Sequence, residues 1–301
     1  MTIVISILNW NSADRTVACL QSLLAIKTPG LLVCVTDNHS LNFDRQAFED
    51  IHPGLVVFEN TENLGFAGGQ YQALSYAKEI GANAFWMLNN DTRVFPDTLE
   101  HLLNAYHTHG DGVYGSAAVN QAGTLNYQLI WELEEKSFKT QFTPLSQEKL
   151  DQEKTLQVAN VVGYSFMIPM TVIEQHGFMD SSYFLYYEET DYCFRLLGEN
   201  IPSYWVGSSK VYHEKEGSTN GRPRLKEIME YYLYRNLFFF LKRHGSTQII
   251  FHYLGRFGMR FLSANIARKQ KVPLLTWKHL RGIFHAFTGK KGPYYHPEDY
   301  L

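Results

Sequence analysis

Three places in the 301-residue sequence carry residue types that could bind a cation or move a proton. The first is "FWMLNNDTRV", residues 85–94, where an apolar run stops at Leu88 and delivers Asn89, Asn90 and Asp91 before resuming at Val94. A carboxylate flanked by amides at the end of a buried strand can hold a divalent cation through oxygen. The second is Glu188-Glu189-Thr190-Asp191, at a predicted helix start directly after the aromatic run "YFLYY". Acids at a helix N-terminus favour the helix dipole and can stand there for that alone. Beside an aromatic wall, desolvation also raises a carboxylate pKa towards the range of a general base. The third is His213, closing "SKVYH". A lone histidine more often serves the core or the surface, so its role depends on whether Asp91 and the acid cluster converge on it. A glycine stretch, "NLGFAGGQ" at 63–70, would let backbone approach a phosphate at a helix start. It matches neither G-x-G-x-x-G nor G-x-x-x-x-G-K-[ST], which weakens nicotinamide and P-loop readings.

The elements that must position these residues alternate through the first half. "TIVISIL" (2–8), "LLVCVTD" (31–37), "LVVFEN" (55–60) and "NAFWML" (83–88) read as strands. Helical spacing separates them at 14–26, 42–51 and 66–80. Strands apolar throughout and separated by helices argue for an α/β fold with a mostly parallel central sheet covered on both faces. In such sheets ligands gather beyond the carboxyl ends of the strands. Those ends carry Asn9-Trp10-Asn11, then Asp37-Asn38-His39-Ser40, then Asn60 through Asn63-Leu64-Gly65, then Asn89-Asn90-Asp91. Turns favour Asn and Asp in any case, but four such ends on one sheet edge make a polar, ligand-facing rim. From about residue 110 the pattern changes. "GVYGSAAV" with "GTLNYQLIW" reads as a strand pair, 132–158 as a polar excursion, and "GYSFMIP" as a strand before a short helix at 171–176. "YFLYY" reads as an aromatic strand, "SYWV" and "SKVYH" as two short strands, and the chain beyond about 224 as helical with breaks near Gly245 and Pro273.

Composition narrows the class. With 45% hydrophobic and 15% aromatic residues the chain fills a core and is not disordered. Cys19, Cys34 and Cys193 form no metal or redox spacing, which fits a reducing, cytoplasmic setting. "MTIVISILNWNS" reads as a strand and a turn rather than a secretory signal. The apolar patch "LFFFL" is stopped by Lys242-Arg243, well short of the ~20 residues a membrane span needs. The net charge of −3 conceals an asymmetry: residues 220–301 hold fifteen Lys and Arg against four acids, +11, leaving −14 for 1–219. An acidic body with a basic tail implies two tasks.

With these residues assembled, the sequence resembles the family 2 glycosyltransferases, and within them a rhamnosyltransferase-like branch of bacterial surface-polysaccharide synthesis. "ILNWN", "TDNHS", "NLGFAGGQ", "MLNNDT", "FLYYEETDYCFR" and "VYHEKEGS" stand in the family's order over roughly residues 2–240. The resemblance implies a GT-A fold with a C-terminal helical appendage. Its divisions would be a nucleotide-binding half at 1–110, an acceptor-binding half at 111–222 and a basic, aromatic-rich helical region at 223–301. It implies that Asn9, Asn11, Asp37, Asn38, Asn63, Gly65, Gly68, Asn89, Asn90 and Asp91 face a nucleotide-diphospho-sugar, dTDP- or UDP-linked. Asn89-Asn90-Asp91 occupies the family's Asp-x-Asp metal position, with Asn89 replacing the first carboxylate. Asp91 and His213 would then hold Mg²⁺ or Mn²⁺, ions that an oxygen-plus-imidazole site suits. The base would be an acid of the 188–191 cluster: Glu189, which stands where the family more often has Asp, then Asp191, then Glu188. The implied reaction is an inverting transfer of a sugar, rhamnose by resemblance, to a hydroxyl of a glycan or lipid-linked glycan.

Two other readings stand beside this one. A nucleotidyltransferase would want a glycine-rich loop bearing Arg or Lys after the first strand, and "NWNSADRT" is not one. A nucleotide-sugar-binding protein without turnover would dispense with the acid cluster and the histidine, and both are present. The basic, aromatic tail fits a peripheral contact with the inner face of the cell membrane. Packing of the same aromatics onto the body, or a homo-oligomer contact, fits it equally. Nucleic acid is excluded as a partner by the acidic body and the absence of its motifs.

Overall fold

A computed structural model of the protein describes the chain except residues 53, 121, 126–129, 134–143, 151, 153, 214–222, 267–276 and 295–301, and the side chains of 223, 224, 226, 260–266 and 277. Four largely apolar strands form a parallel run in one sheet: β1 (Ile3–Asn9), β2 (Leu31–Asp37), β3 (Val56–Glu59) and β4 (Ala84–Asn89), in the order β3-β2-β1-β4. Register aligns Asn9 with Asp37 and Leu8 with Asn89, so the polar strand ends share one edge. Helices α1 (Ala13–Leu23), α2 (Arg45–Glu49), α3 (Gly65–Gly69) and α4 (Tyr71–Glu79) connect them. The helix expected over 66–80 is thus two pieces. Close packing helps fix the first: a Cβ on Gly69 would lie 2.5 Å from the Leu8 side chain.

Beyond β4 the sheet turns mixed. β5 (Thr92–Val94) and α5 (Thr98–His109) follow at once, then β6 (Val113–Val119), α6 (Gln147–Leu150), β7 (Thr155–Val158), β8 (Ser165–Pro169) and α7 (Met170–His176). The sheet runs β3-β2-β1-β4-β8-β6-β9-β5, where β9 spans Ser203–His213 and also pairs with β7. The two short strands expected at 203–213 are one strand. Gly207-Ser208-Ser209, which looks like a turn in sequence, is absorbed as an irregularity that moves the pairing from Ser116↔Val206 to Ala117↔Lys210. Ser209 is held there by hydrogen bonds to the Thr98 carbonyl (2.8 Å) and to Ser116 Oγ (2.9 Å). Of the strand pair expected after 112, the described part of the second half shows isolated bridges, Leu125 to Val119 and Trp131 to Pro144, and residues 126–129 lie outside the described region. The excursion at 132–158 contains α6 and β7. All three cysteines are buried free thiols pushed up to about 12, chiefly by burial, which makes them core residues.

"YFLYY" forms no strand. A 3₁₀ turn (Ser181–Tyr183) is followed by positive φ at Phe184 (67°), Tyr186 (70°) and Tyr187 (73°), and then by α8 (Glu188–Gly198). Non-glycine residues there cost ~1–3 kcal/mol each, so surrounding structure must hold them. That structure is α9 (Pro223–His244), which with α10 (Thr247–Ile266) and α11 (Trp277–Thr288) makes the C-terminal region. The break expected near Gly245 separates α9 from α10, and the one near Pro273 falls outside the described residues. Tyr231, Tyr232, Phe238 and Phe240 of α9 are fully buried, two of them with Phe184 and Trp10, so these tail aromatics pack on the body.

Candidate active site

At the carboxyl ends of the parallel strands lies a cleft of about 570 Å³, floored by Asn11, Asn38, Asn63, Asn89, Asn90 and Asp91. Trp10, Gly65, Phe66, Phe184, Leu225 and Met229 wall it. The start of α9 therefore belongs to this cleft. Asn9, Asp37 and Gly68 do not line it. Asp37 is buried behind the rim, its Oδ1 accepting from Asn9 Nδ2 (2.7 Å) and Ser40 Oγ (2.6 Å) and its Oδ2 from the Ser40 amide (2.8 Å). Asn9 Oδ1 accepts from Thr16, whose hydroxyl accepts from Asn90 Nδ2 (3.0 Å). One hydrogen-bonded chain thus ties the ends of β1, β2 and β4, and rim residues already held in this way lose little freedom when a ligand binds.

The glycine stretch is positioned by Asn38. Its Nδ2 donates to Asn63 Oδ1 (2.9 Å) and the Gly65 carbonyl (3.1 Å), while its Oδ1 accepts from Asn60 Nδ2 and the Leu64 amide. Gly65 has φ +74°, and a Cβ there would lie 2.2 Å from the Phe184 carbonyl oxygen. That oxygen accepts the Phe66 amide at 2.8 Å. The loop beside the cleft and the strained segment before the acid cluster are therefore in direct backbone contact. Gly68, by contrast, packs against Leu64.

Asp91 and His213 meet. β5 pairs with β9 so that Thr92 faces His213, which sets Asp91 Oδ1 3.3 Å from His213 Nε2. Tyr164 organises both partners: its ring stacks on His213 at 5.0 Å and its carbonyl accepts the Asn89 amide and the Thr92 hydroxyl. Asp91 Oδ1 is buried and accepts no hydrogen bond. A buried carboxylate oxygen without a donor is costly unless something positive completes it, and an imidazole nitrogen beside it supplies a second donor atom. This pair fits a divalent cation. Among the described residues no three His, Cys, Asp or Glu gather as a ligand set, so the acid cluster at 188–191 does not join this pair.

The acid cluster divides by environment. Asp191 is buried and clamped by Tyr183 Oη (2.9 Å), Arg243 (2.8 Å) and His244 (2.8 Å). Burial pushes its carboxyl up, but the hydrogen bonds and charges of His244 and Arg243 outweigh this and hold it below the usual aspartate range. Glu189 is raised by burial, against the opposing pull of the backbone N–H groups of Glu189, Gly163 and Thr190. Its Cδ lies 3.7 Å from where a Gly163 Cβ would stand, and the Phe66 ring 3.5 Å from the same point. Glu188 is raised further, by burial and then by the charge of Glu189, and its Oε2 is buried without a hydrogen bond.

Sequence inspection missed what holds this cluster. Asn236 Nδ2 donates to the carbonyls of Tyr183, Leu185 and Tyr186 at 2.7–2.9 Å. Arg235, fully buried, donates to the Tyr183 and Gly292 carbonyls at 2.6 Å and to Asn236 Oδ1. Arg243 and His244, two turns on, grip Asp191. The signal was "YYLYRNLFFF": an Arg-Asn pair inside an aromatic helix face has to answer buried carbonyls.

Comparison with known proteins accords with this geometry. Residues 2–177 match glycosyl transferase family 2. The low-salt glycan biosynthesis hexosyltransferase Agl10 of Haloferax volcanii is 25% identical over 260 residues, covering 85% of this chain and 80% of that protein. Among solved structures, S. aureus TarS 1–349 in complex with UDP-GlcNAc aligns with TM-score 0.59 and 14% identity, over 95% of this chain and 79% of that one. GalNAc-T7 with UDP, GalNAc and Mn²⁺ aligns with TM-score 0.56 and 14% identity over 91% of this chain, which spans 58% of the longer partner. The fold is of the GT-A type, a mixed sheet flanked by helices with added C-terminal helices. The chain is a glycosyltransferase and belongs to glycosyl transferase family 2.

Proposed function

We propose that the protein moves a sugar from a nucleoside diphosphate to a hydroxyl of a glycan or lipid-linked glycan, with inversion at the anomeric carbon and with a divalent cation. The observation that carries the reading is Asp91 on the floor of the cleft, its buried Oδ1 accepting no hydrogen bond and standing 3.3 Å from His213 Nε2. Asp91 and His213 would hold Mg²⁺ or Mn²⁺, which supplies Lewis-acid neutralisation of the leaving diphosphate when bound. Asn38, Asn63, Gly65, Asn89 and Asn90 line the donor side, and Asp37, Asn9 and Asn11 fix its rim.

Glu189 is the base in this reading: it does not itself line the cleft, but its carboxyl is raised and half-buried and stands by Gly163, which Phe66 of the cleft wall also approaches. It accepts the acceptor hydroxyl proton while that oxygen bonds the anomeric carbon and the bond to the diphosphate breaks, its electron pair leaving with the phosphate. Asp191 serves as the anchor of α8, and Glu188 as its buried neighbour. The rhamnosyltransferase-like resemblance makes dTDP-rhamnose the first donor to test, with UDP-linked sugars next.

Glu189→Gln keeps the shape of the side chain and removes the base. Donor binding should persist while transfer falls by roughly 10²–10⁴-fold, the usual worth of a positioned base. Normal transfer by the variant would overturn the assignment of Glu189.

A further inference from the structure

Beyond the transfer reaction, we propose that the outward faces of α10 and α11 seat the protein on an anionic lipid surface. Charge is the first observation. Between Glu230 and Glu298 the sequence contains no carboxylate, while Arg235, Lys242, Arg243, Arg256, Arg260, Arg268, Lys269, Lys271, Lys278, Arg281, Lys290 and Lys291 fall in that interval. Several of these are used internally: Arg235 and Arg243 hold the acid cluster, and Lys278 pairs with Glu227. Arg281 and Lys290 stay exposed while lying over the Tyr294 ring, at 6.0 and 4.4 Å, Arg281 also donating to Tyr294 Oη (3.2 Å); Lys242 lies over Phe287 at 5.6 Å and donates to the Ala286 carbonyl (3.1 Å).

Exposed apolar side chains are the second observation. Helix α11 is apolar on two faces. Gly282 and Ala286 face α9, a Cβ on Gly282 lying 2.8 Å from the Tyr231 carbonyl. On the other side Phe284 and Phe287 stand 63% and 46% exposed, among the exposed Arg281, Lys290 and Lys291. On α10, Phe251 and Met259 are 67% and 65% exposed, two turns apart on one face with Gly255 between them, flanked by exposed His252 and Arg256. Both helices pack on α9: Ile249 and Ala286 are buried in one cluster, and Tyr234 makes edge contacts with Phe257 and His279.

Phosphate alone would engage the cations and leave the phenylalanines idle. Exposed Phe and Met with cations beside them suit a phase that is apolar beneath a layer of phosphates. Such a helix lies in the interface rather than crossing it, and no helix among the described residues is long and apolar enough to cross a membrane.

The test is co-sedimentation of the full chain with vesicles of phosphatidylcholine alone and with vesicles of equimolar phosphatidylcholine and phosphatidylglycerol. Binding is expected only to the second, weakening as salt is raised. Arg281→Glu with Lys290→Glu should weaken it at least about thirtyfold, at roughly fivefold per lost cation. Phe284→Ser with Phe287→Ser should weaken it about tenfold or more. Unchanged melting temperatures must accompany both variants, and donor binding should be unaffected. Equal binding to both vesicles, binding to neither, or undiminished binding by the charge-reversed variant would overturn the proposal. So would binding to nucleic acid or self-association through these residues in place of vesicle binding.

Discussion

Three carboxylates within four residues have different surroundings, and those surroundings assign their work. Asp191 has a cation and an imidazole on its oxygens, so its ionised form is the stable one in the fold. A carboxyl held below its ordinary range contributes stability above that range and loses it as pH falls through the folded value. Asp191→Asn should therefore cost stability at neutral pH, and the gap from the parent should close on acidification. Breaking a buried pair costs about 3–5 kcal/mol. Arg243 is 44% exposed, so solvent screening places the loss at the low end. Thermal melts across pH check this, and a constant gap would contradict the clamp. Glu188 and Glu189 show the reverse: burial disfavours their charge. The sequence names all three acids but not this division, because the partners that make it come from residues 243–244, more than fifty positions later.

Sequence periodicity located the elements that carry the site well where hydrophobic runs were continuous. β1, β2, β4 and their polar ends lie where the alternating pattern placed them, within a residue or two. It failed where tertiary contacts override local preference. "YFLYY" has strand composition, yet Asn236 and Arg235 occupy its carbonyls and hold Phe184, Tyr186 and Tyr187 at positive φ. β5 was missed because three residues after a turn carry no period, though it is what brings Asp91 to His213. The clamp has a measurable consequence. Asn236→Ala leaves three carbonyls without this donor and should cost about 1–3 kcal/mol. Because the released segment leads into Glu188 and Glu189, kcat should fall more than donor affinity does. Equal losses in both, or none in kcat, would show that the segment does not position the base.

Across the molecule, the cations of the basic tail divide between those bonded to the body and those left exposed on the C-terminal helices. α9 is part of the candidate site: Leu225 and Met229 wall the cleft, Arg235 and Asn236 hold the strained segment, and Arg243 and His244 anchor α8. Net charge could not separate these internal cations from the outward ones on α11, since both are Arg or Lys amid aromatics. The central claim is that the cleft binds a nucleoside diphosphate through a cation at Asp91 and His213. The direct measurement is thermal stabilisation by UDP, dTDP, GDP, ADP and CMP, with and without Mn²⁺, for the parent and for Asp91→Asn. A ligand that binds only the folded state at ~100 times its Kd adds about 2.7 kcal/mol. The account predicts a Mn²⁺-dependent shift with UDP or dTDP that the variant loses. A shift indifferent to Mn²⁺ and to the substitution, or no shift with any nucleotide, would contradict it.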